Sequence, residues 1–579
     1  MYSGNRLVEL LNAQDQERHP GLFKSGEFTL KWRAKVGSFP HPDVETIVSA
    51  GEPCGKWKSN QTKTKQEVWK QNTSSSQWRP EAKRTVGENL EQLKILPLNG
   101  YIPGSCIRGI VREWAKKRPE IQPRMLKLLG YQTNDEIYSG KIQFLDAWPA
   151  KPQPLTLDIV NPQQEFQVFH QGQSTPLSLY SLGDGEDPIT VTVAIRGIAS
   201  KGVTADDVNE VWGWVEQALT LYGVGSRTAS GYGVIKLSGQ VAPKPDPNCK
   251  AKVLNFSLYS QGCYGTDPQG PDLRPSHWRG WMRSWLLRFL LGVMSRANAE
   301  KTLGELFGVL EPTAQKGCVR IELIKDKVWG KKSNKNPHFY TWKGELKITA
   351  PENILNTIIV PALRFASMVG GVGRGWRRPL HIFRTDRGYE AARGCHVVLS
   401  HQVRGETKKF GISLKSEQWS TVYQQWANAV QQQWPNYFTP NQNPEAEVFG
   451  PQSCAVYLVP GPVRNPLNGA EMNWALTTPE ETRGDGVKLI YQPIYKRKVE
   501  VGGNAAQGGG STSHCSWVSI QRVQVRHRQK NTDCQEVVCL FMGGQDPSSQ
   551  QLRAKFLKEL ANIPGAVRLF GVYPPIINQ

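Results

Sequence analysis

Tyr101-Ile-Pro-Gly-Ser-Cys-Ile-Arg-Gly-Ile-Val-Arg-Glu-Trp114 and Asp272-Leu-Arg-Pro-Ser-His-Trp-Arg-Gly-Trp-Met-Arg-Ser-Trp285 are two versions of one phrase. Both end in Ser-x-x-Arg-Gly-x-x-Arg-x-Trp, and each is followed by a loop rich in glycine and arginine. The first loop is Gly223-Val-Gly-Ser-Arg-Thr-Ala-Ser-Gly-Tyr-Gly233, and the second is Gly370-Gly-Val-Gly-Arg-Gly-Trp-Arg-Arg378. A module that occurs twice points to duplication or fusion, and internal repeats take precedence over other readings.

Around the first phrase the order of elements is β, α, β, β, α, β. Residues 27–37 alternate like a strand, Ser105 to Lys117 has helical spacing with Ser105 as N-cap, and Lys141 to Trp148 is a strand. Ile189 to Ile195 alternates, Asp206 to Leu221 is helical and ends at Gly223, and Val234 to Leu237 closes the set. That order is ferredoxin-like. Pro243, Pro245 and Pro247 then form a stiff linker over 241–250. The order restarts with a strand at Val253, a helix from Ser276 as N-cap, strands at 317–324 and 344–348, and a helix from Asn353 to Met368. A third region begins near 391, with helices at 417–433 and 548–562 and strands at 516–526 and 535–542. The predicted class is α+β, with two or three tandem ferredoxin-like domains over 1–240, 251–390 and 391–579. Residues 51–92, rich in Lys, Gln, Ser and Asn around Trp57, Trp69 and Trp78, read as an insertion, either a loop or a projecting β-hairpin.

With 579 residues the length prior is roughly three or four domains. The net charge of +21 is spread along the chain, so it predicts basic grooves on folded domains and a polyanionic partner rather than a basic tail. The chain has no apolar run long enough for a membrane span and no signal-peptide core, which predicts a reduced, cytoplasmic protein without a membrane partner. The ten cysteines include no Cys-x-x-Cys pair. His514, Cys515, His527, Cys534 and Cys539 crowd together but fit no ordinary zinc spacing, so neither a metal nor a cofactor is expected.

The parts that carry chemistry bind anions. With Ser105 at N-cap, Arg108 sits in the first helical turn and Arg112 lies one turn on, on the same face; Arg279 and Arg283 repeat this after Ser276. A cation there opposes the helix dipole, and a phosphate docked at the helix start would remove the conflict. The bland alternative is that these arginines pair with acidic side chains of a neighbouring strand. The glycine loops offer backbone N–H groups, with Gly225, Arg227 and Tyr232 in one and Arg374, Trp376, Arg377 and Arg378 in the other, beside Arg274, His277 and Trp278 at the second helix start. Tight turns explain the glycines but not the arginines. Any single tryptophan is more often core than a base-stacking surface.

Ile102-Pro-Gly-Ser-Cys-Ile-Arg-Gly-Ile-Val-Arg112 with the Gly223–Gly233 loop resembles the RAMP superfamily of CRISPR proteins. Phe144-Leu-Asp-Ala-Trp-Pro149 and Leu157-Asp-Ile-Val-Asn-Pro162 are similar to the sixth subunit of the type III-B (Cmr) effector complex, although Gln163 and Gln164 stand where that family has His-Tyr. Residues 253–378 resemble the first Cmr subunit through the second phrase, Leu306-Phe-Gly308, Gly317-Cys-Val-Arg-Ile321 and the Gly370 loop, which departs from the family at Gly375-Trp-Arg-Arg-Pro379. The resemblance implies a fusion of the two subunits. It implies a non-catalytic component that holds the 3′ part of the guide RNA (crRNA), helps capture target RNA and contacts other Cmr effector subunits. It also suggests that the 51–92 insertion is the thumb-like hairpin of backbone RAMPs. Two rival readings remain. One is an endoribonuclease using Asp43, Asp267 or Asp272, which lie between the first strand and first helix of each half. The other is an RNA binder that uses no guide.

Overall fold

A computed structural model describes residues 4–36, 53–56, 69–71, 78–80, 100–151, 155–159, 177–183, 185, 187–239, 248–261, 273–309, 315–333, 337–463, 478–503, 516–526 and 532–573, less 374, 386–387, 441, 445 and 545. The described residues divide into two compact units, one up to Gly239 and the other from Asn248.

The first unit opens with a helix that alternation and spacing had not marked, α1 (Gly4–Arg18). Its Asp15 pairs with Arg196 at 3.4 Å, and Leu11 packs on Phe23, Leu145 and Ala194. Then come β1 (Phe23–Leu30), α2 (Gly104–Lys116), α3 (Gln122–Leu129), β2 (Ile142–Phe144), β3 (Ile189–Gly197), α4 (Ala205–Tyr222) and β4 (Ile235–Leu237). The antiparallel sheet has the order β4-β1-β3-β2, that of a βαββαβ unit. Strand β3 alternates, with Ile189, Val191, Val193 and Ile195 buried against Ile107, Val111 and Trp114 of α2 and Val211, Val215 and Leu219 of α4. Helix α4 begins with a capping box, Thr204 accepting from the Asp207 N–H and Asp207 from the Thr204 N–H. Within the 51–92 insertion, Trp69–Gln71 pairs antiparallel with Trp78–Pro80, and Pro53–Lys56 joins Leu177–Leu182. The remainder of that insertion lies outside the described residues.

The second unit contains two further sheets with the same topology. One is built from β5 (Cys249–Ser260), α5 (Pro275–Leu290), α6 (Arg296–Phe307), β6 (Arg320–Lys325), β7 (Tyr340–Pro351), α7 (Val360–Val369) and β8 (Cys395–Val403), ordered β6-β7-β5-β8. Strand β8 completes this sheet, so residues beyond 391 serve it as well as the third sheet. The third follows helix α8 (Ser416–Gln433) and comprises β9 (Cys454–Pro460), α9 (Asp485–Ile490), β10 (Val518–Arg526), β11 (Thr532–Phe541), α10 (Pro547–Ala561) and β12 (Val567–Gly571), ordered β10-β11-β9-β12. A single apolar core runs through both, from Leu254 and Trp278 to Phe541 and Phe570. Trp114, Trp278, Trp285, Trp342, Trp419 and Trp426 are fully buried, which assigns them to packing. Among the described residues no helix is long and apolar enough to cross a membrane.

Candidate RNA interface

The repeated phrase forms the first helix of each of the first two ferredoxin-like units, and the caps differ from the expected ones. Helix α2 starts at Gly104 with Pro103 at the cap, and exposed Ser105 makes no capping bond. The Gly104 N–H donates instead to Asp146 Oδ1 (2.8 Å). A carboxylate of the chain itself therefore sits where an anion was expected. Gly104 has to be glycine, because a Cβ there would lie 2.2 Å from the Phe144 carbonyl oxygen. Helix α5 likewise starts earlier than Ser276. Arg274 is the cap, Pro275 takes the first helical position, and the Arg274 N–H donates to Nδ1 of His277 (3.0 Å).

Among the described residues, Arg108 and Arg112 of the first phrase reach backbone carbonyls rather than a strand carboxylate. Arg108 donates to the Leu129 carbonyl, and Arg112 donates to the Leu129 (3.2 Å) and Gly130 carbonyls. These are the carbonyls of the last residue of α3 and of the glycine that caps it, which lack an intrahelical partner. Arg279 repeats the contact on Phe307, the last residue of α6 (2.5 Å). Cations at a helix C-terminus are favoured by the dipole, which resolves the conflict read from the sequence. Each receiving helix ends at a positive-φ glycine, Gly130 (φ 78°) and Gly308 (φ 88°). Leu128-Leu-Gly130 and Leu306-Phe-Gly308 are thus a further part of the repeat, and the recurrence of Leu-x-Gly behind each phrase, at different distances, was the signal that could have revealed the contact. Carbonyls do not cancel a guanidinium charge. Among the described residues Arg108 and Arg112 pair with no carboxylate, and the Arg112 guanidinium is pushed down by burial and by Arg108 beside it. Arg283 is exposed and has no bonded partner among the described residues.

The first glycine loop is packed rather than open. Val224, Ser226 and Gly233 donate their N–H groups to the carbonyls of Gly233, Lys35 and Arg33. Tyr232 is buried under the Lys35 ammonium (4.6 Å), so it offers no ring face to a base, and Arg227 is half-buried at φ 60°. Gly225 sits at φ 81°, where a Cβ would lie 2.4 Å from the Lys35 carbonyl oxygen. Gly225→Ala is accordingly expected to cost about 1–3 kcal/mol through overpacking and backbone strain, read as a lowered midpoint in denaturant unfolding of the first unit.

The second loop ties the two sheets of its unit together. Arg377 pairs with Glu447 (2.8 Å) and donates to the Ser516 carbonyl; Arg378 donates to Ser516 Oγ (2.9 Å) and to the Val518 carbonyl. Burial pushes the Arg378 guanidinium down to about 10. Glu447 also holds Arg288, whose guanidinium lies over the Trp376 ring (5.1 Å). Trp376 packs edge-on against Trp285 (5.7 Å), and Trp278 lies in the core on Phe256 (4.7 Å). These arginines and tryptophans therefore hold the fold. Arg374, Asp43, Asp267 and Asp272 lie outside the described residues.

Of the C-terminal Cys/His set, His514, Cys515 and His527 are also outside them. Burial pushes the Cys534 thiol up to about 11 and raises the Cys539 thiol as well, which disfavours the thiolate a metal would need. Among the described residues no group of three His, Cys, Asp or Glu could hold a metal ion.

Residues 85–236 match the RAMP superfamily. The RAMP segment takes in α2 to the start of β4, and so contains the first phrase, its arginine contacts and the first glycine loop. The second phrase lies outside the RAMP match. Among solved structures, Cmr6 from Pyrococcus furiosus is similar at 16% identity and a TM-score of 0.20, over 37% of this chain and 97% of that one. A chain of a type IV-B CRISPR complex is similar at 12% identity and a TM-score of 0.21, over 39% of this chain and 95% of that one. No curated protein matches the chain.

Proposed function

We propose that the chain is a non-catalytic RNA-binding subunit of a CRISPR effector complex, of the type III-B (Cmr) kind, in which a sixth-subunit-like half is fused to a first-subunit-like half. It holds the 3′ part of the guide RNA and helps capture complementary target RNA. The observation that carries this reading is the RAMP match over a segment whose helix α2 presents two arginines with no carboxylate partner among the described residues. Arg283 supplies an exposed cation at the equivalent point of the second phrase, and the net charge of +21 agrees with a polyanionic partner. Contacts of this kind recognise the phosphate chain rather than base sequence.

The test is to isolate the chain from its native cells and sequence the RNA that accompanies it. RNAs of discrete length with one shared repeat-derived 5′ tag support a guide-bound subunit, and bulk RNA or none rejects it. In purified protein, Arg283→Ala is expected to lower the slope of log affinity against log salt by about 0.7, the value of one phosphate contact on a single strand. An unchanged slope removes Arg283 from the interface. Target cleavage lost in Asp43→Ala or Asp272→Ala with binding retained would replace the non-catalytic reading by the endoribonuclease one.

A further inference from the structure

The ribbon that follows α3 carries features the fold does not require. Gly130–Gln132 pairs antiparallel with Ile137–Ser139, setting Tyr131 opposite Tyr138 and Gln132 opposite Ile137. The two strands join no other strand among the described residues, and residues 132–139 are exposed throughout. The tyrosine rings stack at 4.4 Å with 15° between planes. Such a cross-strand pair helps a two-stranded ribbon that is marginal alone. It does not explain why Tyr138 remains 44% exposed or why Ile137, on the other face, is 79% exposed.

Charge is segregated along this ribbon. Arg108 and Arg112 bond to the Leu129 and Gly130 carbonyls, where the first strand begins. Lys201 bonds to the Gly140 carbonyl (2.9 Å) and to the Ser139 hydroxyl, where the second strand ends. Three cations thus stand at the foot of the two strands. Glu136, which accepts from the Tyr138 hydroxyl, and Asp135 lie at the far turn. An anion is attracted to the foot and repelled from the turn, while the apolar and aromatic surface lies between.

We propose that this ribbon is a stacking platform for an unpaired base of single-stranded RNA, with Tyr138 receiving the base and the cations at the foot receiving the adjoining phosphate. The proposal rests on the RNA-binding reading above and names the surface that performs it. Stacking on an aromatic ring with a cationic track for the backbone is the general means of holding single strands without reading their sequence.

The experiment measures fluorescence anisotropy of a labelled single-stranded oligouridylate with the purified full chain and with Tyr138→Ala, Tyr138→Phe and Ile137→Ser. These side chains are exposed, so each variant should fold, and circular dichroism melting verifies it. Tyr138→Ala is expected to weaken binding about 5- to 150-fold, the range for removing a stacking aromatic, with an unchanged salt slope because no phosphate contact is lost. Tyr138→Phe, which keeps the ring, is expected to bind within about twofold of the parent. Parent-like affinity in Tyr138→Ala overturns the platform while leaving the RNA-binding reading intact. A parent chain that binds no oligonucleotide overturns both. Equal weakening on a blunt RNA duplex would also overturn the platform, since a duplex offers no unpaired base.

Discussion

Arg522→Met is expected to destabilise the second unit by about 3–5 kcal/mol, because it strands a buried carboxylate. Arg522 and Glu536 are both buried, on paired strands β10 and β11, with Nε and Oε1 3.4 Å apart. Arg522 also donates to the Leu380 carbonyl (2.6 Å) and to the Thr482 carbonyl. Glu536 accepts from the N–H groups of Gly484 (3.1 Å) and Val487 (3.0 Å), at the start of α9. Burial pushes its carboxyl up, and the guanidinium and the two N–H groups oppose that push. The usual rescue, replacing both charges by apolar groups, should fail here. Glu536→Leu added to Arg522→Met would leave two backbone donors and two carbonyls without partners, each costing about 1–3 kcal/mol. Because one core spans both sheets of this unit, denaturant unfolding is expected to show a lower midpoint for all its elements together. A midpoint within experimental error of the parent would mean that the pair contributes nothing net.

The second large effect is acid destabilisation from two buried histidines. His381 bonds to the Pro379 carbonyl (2.7 Å) and the Tyr491 hydroxyl (2.9 Å). His396 faces Gln521 (3.4 Å) and packs by Tyr259. Burial, helped by Arg522, Arg393 and Arg483, holds His381 well below the ordinary imidazole value. Burial, helped by Arg522 and Lys409, lowers His396 to about 3. The folded state therefore refuses a proton that the unfolded chain takes below about 6.5. Stability from these groups is fully present above that pH and falls as pH drops toward the folded values. At pH 5 His396 alone is expected to remove about 2 kcal/mol relative to pH 7, and His381 adds to the loss in the same direction. Thermal melts across this range check it, and a His396→Gln variant should show a shallower pH dependence.

The architecture was legible because its signals are local. Period-two alternation at 189–195, helical spacing after 105 and 276, and glycines behind each helix suffice for repeated βαββαβ units. Helix α1 escaped notice because a polar helix with few apolar positions lacks that signal. The fate of the arginines was not legible. Arg108 and Arg279 look identical whether they face phosphate or carbonyl, and the carbonyls they bind lie 21 and 28 residues further along the chain. Tyr232 and Trp376 were candidate stacking rings of the two glycine loops until packing placed Tyr232 under Lys35 and Trp376 against Trp285.

The sequence by itself therefore determined the repeat, the topology and the excess of positive charge, all properties of spacing and composition. Only the tertiary structure decided which cations are tied to a neighbouring sheet and which keep a charge that no carboxylate compensates among the described residues. Arg377 and Arg378 are bound to the neighbouring sheet, while Arg283 stays exposed and Arg108, Arg112 and Lys201 gather at the foot of an exposed ribbon. The reason is that a side chain's partners and its burial are set by elements distant in sequence, and no local pattern encodes the carbonyl, carboxylate or solvent that it finally meets.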